Sequence, residues 1–146
     1  PVGDPDGLAP GRVVVIPYQY VTLRVVPRVD REEFVNVGIV LFADAVNFLD
    51  AGCHVDARRL DALHPGLDLE AVTASLRVIC EVCRGVTGRG LPDLPTPGRR
   101  FGWLAAPRST VLQPGPRHGG LAADPAVELD VLMDRLVRPA LPPKEA

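Results

Sequence analysis

The chain holds 146 residues, 47% hydrophobic and 23% charged, a balance that excludes a disordered segment and suffices for one core. No apolar run approaches the roughly 18 residues that a spanning helix needs, and a formal charge of −2 gives no general attraction to nucleic acid. Three cysteines, Cys53, Cys80 and Cys83, are an odd number in a chain too long for a disulfide scaffold, so free thiols and a cytoplasmic setting are expected.

Residues 1–17 read as a flexible tail, because Pro1, Pro5, Pro10 and Pro17 with three glycines leave only Val13 to Ile16 as a short strand. This stretch is not basic and then apolar, so neither secretion nor membrane insertion is expected, although a start at Pro1 leaves an upstream address segment open. Tyr18 to Val26 alternates: Val21, Leu23 and Val25 fall on one face, Tyr18, Tyr20, Thr22 and Arg24 on the other. After Pro27 and a charged turn, Phe34 to Ala43 is apolar nearly throughout and β-branched, which predicts a central strand buried on both faces. Asn47 to Val55 offers a third strand, and the short spacings predict an antiparallel meander.

Asp56 is placed to cap a brief helix stopped by Pro65 and Gly66. A longer helix follows Asp68, with Leu69, Val72, Leu76, Ile79 or Cys80, and Cys83 inward and Gly85 at the left-handed cap. Gly85 to Arg100 carries four glycines and three prolines and reads as a long loop. Beyond it stand the only tryptophan, Trp103, a possible strand at Ser109 to Gln113 and a second loop from Gly115 to Ala123. Asp124 and Pro125 open a last helix, buried through Leu129, Leu132, Met133 and Leu136 and ended by Pro139. The expectation is an α+β fold, a small antiparallel sheet of three to four strands packed by two main helices. Its single domain spans 18–138, with a C-terminal tail at 139–146.

The charges are uneven: Arg84 to Arg117 holds six arginines against Asp93 alone, and residues 28–81 hold ten carboxylates against five arginines. Such asymmetry marks either an anion-facing side or the arginine-rich usage of a GC-rich genome. Asn36, on the central strand, is expected to share a face with Gly38 and Val40; there it either pins a neighbouring segment or meets a ligand. Glu32 and Glu33 with Asp30 are weak acid–base candidates, since neighbours on an extended chain point apart and Arg24, Arg28 and Arg31 offer ordinary pairing. Cys80 and Cys83 form a C-x-x-C near a helix C-terminus, where the dipole opposes thiolate formation. Zinc would need Cys53 and His54, or His64 and His118, so core packing is the favoured reading and no metal is expected. Arg24, Asn36, Arg108, Ser109, Thr110 and His118 could converge on a phosphate or carboxylate. A Ser109 and His118 nucleophile pair lacks an acid partner, and no phosphate-cradling glycine motif is present.

The runs Tyr18 to Pro27, Arg31-Glu32-Glu33-Phe34-Val35-Asn36-Val37-Gly38-Ile39-Val40-Leu41-Phe42, Phe101-Gly102-Trp103-Leu104 and Pro107-Arg108-Ser109-Thr110 resemble the bacterial domain-of-unknown-function family 3037. Arg31, Glu32, Glu33, Asn36 and Gly38 match its first motif block, and Arg108, Ser109 and Thr110 its second. The resemblance implies a small stand-alone protein, often encoded beside a HipA-like kinase-fold protein. It therefore favours a non-enzymatic accessory domain without a cofactor, with that kinase-fold protein as partner. The alternative is an enzyme or binding domain for a phosphate-bearing or nucleic-acid ligand. The candidate binding residues are Arg24, Arg31, Glu33, Asn36, Arg108, Ser109, Thr110 and His118.

Overall fold

A computed structural model describes residues 14–140. Strand β1 (Ile16–Val25) pairs antiparallel along its length with β2 (Val35–Ala43), and β2 with β3 (Phe48–Cys53), giving the meander. On the other edge of β1 two short strands share one place. β4 (Leu112–Pro114) pairs with Leu23 to Val25, and β5 (His118–Ala122) pairs with Ile16 to Tyr20. The α+β expectation holds, with five strands among the described residues rather than three or four. Ile16 and Pro17 belong to β1 rather than to a tail; the rest of the expected tail up to Val13 lies outside the described residues, as do 141–146.

Helices cover both faces of the sheet. On one face α1 (Ala57–Leu63), α2 (Leu69–Cys83) and α3 (Pro97–Ala105) bury Leu60, Leu76, Ile79 and Phe101 against Val21, Leu23, Val25 and Val40. On the other, α4 (Pro125–Leu136) buries Leu129, Leu132 and Met133 against Ile39 and Leu41. The alternation in β1 and β2 thus serves two cores at once, which explains why β2 is apolar at nearly every position.

The caps follow from the sequence. Asp56 accepts from the amides of Arg58 and Arg59, Asp68 from Ala71, and Asp124 from Ala126 with Pro125 at the first helical position. At the end of α2, Gly85 takes φ +76°, with Gly85 N–H bonded to Val82 O and Val86 N–H to Glu81 O, the paired bonds of a Schellman cap.

Four expectations need correction. The loop to Arg100 ends early because Thr96 caps α3, its hydroxyl accepting from Arg99 N, and Pro97 supplies a preset φ for the first turn. The strand expected at Ser109 to Gln113 is the later Leu112–Pro114, and the loop from Gly115 contains β5. Asn36 does not share a face with Gly38. Consecutive β1 residues Leu23 and Arg24 face Gly38 and Asn36, so Val37 is an extra residue in β2. This bulge turns Asn36 toward α4 while Gly38 stays opposite Leu23 on the α2 side.

Candidate functional site

The structure separates the candidate residues into three places. Arg31 and Glu33 stand in the exposed turn before β2 and pair with each other, as Arg28 does with Asp30 at 2.6 Å. The hydrogen bond from Arg31 holds the Glu33 carboxyl below its usual range. Arg28, Arg31 and Glu33 border, with His64, a polar hollow of about 430 Å³. These four charges are each spent on a neighbour two positions away, Glu32 takes no side-chain partner among the described residues, and the turn shows no acid and base aimed at one point.

Arg24, Asn36 and His118 lie on the α4 side of the sheet. Asn36 Nδ2 donates to Leu136 O at 3.1 Å, and the Arg24 guanidinium sits 3.8 Å over the Phe34 ring. His118 stacks on its cross-strand partner Tyr20 with ring centroids 5.2 Å apart. Arg24 Nε and Asn36 Oδ1, on directly opposed residues, are buried without a partner among the described residues.

Arg108 and Thr110 lie on the opposite side, in a cleft of about 340 Å³ between α2 and β4. One wall is α2, with Val72, Ser75, Val78 and Ile79; the other is the segment from Arg108 through Leu112; Leu23 forms the floor and Trp103 one end. The volume falls at the low end of ligand pockets, roughly 300–1,000 Å³, and the lining is mainly apolar with a few polar groups. Arg108 stacks 4.3 Å over the Trp103 ring and donates from Nη2 to Trp103 O at 2.7 Å. Burial against that ring lowers its pKa, and no carboxylate among the described residues lies within ion-pair distance. Thr110 Oγ1 donates to Leu112 O at 2.7 Å, shaping the entry to β4, and Ser109, between Arg108 and Thr110, is exposed and does not line the cleft.

The arginines therefore do not converge: Arg24 and Arg108 project from opposite faces of the sheet. Ser109 and His118 are likewise placed apart, on the cleft side and the α4 side. Among the described residues no three His, Cys, Asp or Glu side chains are grouped to hold a metal, and no helix is long and apolar enough to cross a membrane.

Sequence reading missed the α2 wall. Val78, one step outside the buried stripe, and the small residues Ala71 and Ser75 were the available signal: an apolar face wider than the core requires.

The cleft unites Trp103 with Arg108 and Thr110, from two separate runs of the sequence, and a family model described as protein of unknown function (DUF3037) matches residues 20–137. The chain belongs to this family. No curated protein and no solved structure matches it. In this DUF3037 chain the run from Arg31 to Phe42 supplies the charged turn and the inner strand β2, while Trp103 and the run from Arg108 supply one end and one wall of the cleft.

Proposed function

We propose that this protein is a non-catalytic binding module that seats an apolar side chain of a partner protein in the α2–β4 cleft, with Arg108 pairing to a carboxylate beside that side chain. One observation carries the reading: Val78, Trp103 and Val111, exposed at 38%, 36% and 42%, all border this cleft. Apolar surface gathered at one concave place is surface on which burial yields binding energy, about 25 cal/mol per Å² removed from water before the costs of association. Arg108 is suited to its part because its stack on Trp103 fixes the guanidinium plane and partly desolvates it.

The HipA-like kinase-fold protein implied by the family resemblance is the first partner to test. A phosphate-bearing or nucleic-acid ligand draws no support from the arrangement, since its arginines stand on opposite faces. Co-expression with the kinase-fold neighbour followed by size-exclusion chromatography tests the reading: co-elution is expected, and separate elution at micromolar concentration overturns that partner.

A further inference from the structure

Two of the three thiols meet where the last turn of α2 passes the end of β3. Cys53 is the final residue of β3 and exposed, Cys80 is half-buried on α2, and Cys83 is buried one turn further on. Cys53 Sγ and Cys80 Sγ stand 4.0 Å apart. The pair that meets in space is therefore not the C-x-x-C of the sequence but a strand thiol and a helix thiol 27 residues apart.

We propose that Cys53 and Cys80 form an oxidisable dithiol that hydroperoxides close to a disulfide, fastening β3 to α2. Gly38, the cross-strand partner of Cys53, would bring a Cβ to an ordinary contact distance of 3.5 Å from Cys53 Sγ, which places that sulfur on the α2 face of the sheet. Closing 4.0 Å to a bond of about 2.05 Å asks for roughly 2 Å of travel, within reach of a side-chain rotation at the exposed end of a strand.

The two thiols are unequal. The hydrogen bond that Cys53 donates once Cys80 is ionised holds the Cys80 thiol down to about 7, and Arg84 adds to the effect. Burial and the helix C-terminus work in the opposite direction. Cys53 is pushed up by the same hydrogen bond first and then by partial desolvation of its sulfur against α2, although the residue as a whole is exposed, and burial pushes Cys83 up to about 12. Cys80 is thus the attacking thiolate and Cys53 the resolving thiol.

In the first step the Cys80 thiolate attacks one oxygen of hydrogen peroxide; the S–O bond forms, the O–O bond breaks, and hydroxide leaves to take up the proton that Cys80 had released. In the second, Cys53 sulfur attacks the Cys80 sulfenic sulfur; the S–S bond forms, the S–O bond breaks, and the hydroxyl leaves as water with the Cys53 proton. Two thiols lose two electrons, and one peroxide becomes two waters.

The test is treatment of the full chain with hydrogen peroxide, alkylation of remaining thiols, tryptic digestion and fragmentation of linked peptides. In the wild type a bond between Cys53 and Cys80 is expected, with Cys83 alkylated. In Cys53→Ser, at an exposed position that leaves the fold intact, the Cys80 sulfenic acid persists and is captured by a 1,3-diketone. If all three thiols of the wild type stay alkylatable, or the bond maps to Cys83, the proposal is overturned.

Discussion

Asn36 Nδ2 donates to the carbonyl oxygen of Leu136, the last residue of α4, across 100 positions of sequence. A helix ends with carbonyls that no amide of its own can reach, and a side chain of the inner sheet satisfies one of them. This lone amide in an apolar strand is structural in its bonding: it fixes where α4 lies on the sheet. Asn36→Ala should lower unfolding free energy by about 1–2 kcal/mol, the cost of one hydrogen bond and an orphaned carbonyl. Urea denaturation monitored by circular dichroism measures it, and an unchanged midpoint would remove Asn36 from this role.

Gly38 belongs to the same motif block for a steric reason. A Cβ there would stand 2.7 Å from Gly52 O and 3.2 Å from Leu23 Cδ1, so the β3 backbone approaches as only glycine permits. Gly38→Ala should destabilise by about 1–3 kcal/mol, as overpacking does. Gly52→Ala should cost less, because the atoms it meets belong to the flexible side chain of Met133 rather than to backbone. The order of the two urea midpoints decides the point.

Tyr18 ties β1 to the first turn of α4 by donating to Glu128 Oε2 at 3.0 Å. Burial first, then that hydrogen bond, raise its pKa to about 12. A phenol whose folded pKa lies above the unfolded value near 10 contributes stability that is complete below pH about 10 and is lost as pH climbs toward 12. Tyr18→Phe should therefore cost about 1 kcal/mol near neutrality and flatten the stability profile across that alkaline window. Thermal melts of both proteins between pH 9 and 12 provide the comparison.

The thiol pair predicts a pH dependence of its own. Alkylation of Cys80 by iodoacetamide should rise through a midpoint near 7, below the roughly 8.5 of an ordinary thiol. Cys53→Ala, which removes the donor, should move the midpoint upward. Peptide-resolved alkylation rates between pH 6 and 9 measure both.

The elements legible in the sequence were those whose local signals agree with their tertiary setting. The alternation of β1 and the aspartate caps of α1, α2 and α4 each state one answer. α3 was hidden because Gly98 and Gly102 weaken its helix propensity, leaving only Thr96 and Pro97 to announce it. β5 was hidden because Gly119 and Gly120 are poor strand formers, and the pairing with β1 supplies what propensity does not. The bulge at Val37 carries no local signal; without it every residue N-terminal to Gly38 is assigned to the wrong face, and with it Asn36 faces a helix rather than a pocket. The cleft was half legible. Trp103, Arg108 and Thr110 stood out as residues, but their meeting with α2 depends on α3 turning the chain back.

The central claim is that the α2–β4 cleft binds an apolar side chain of a partner, and Ser75→Phe tests it most directly. Ser75 is an exposed residue of α2 that lines the cleft, so a phenyl ring there fills the space without entering the core. Calorimetric titration of the kinase-fold partner into wild type and Ser75→Phe should show micromolar binding weakened by roughly tenfold or more, about 1.4 kcal/mol, with unchanged thermal stability. Equal affinity of the two proteins would contradict the claim.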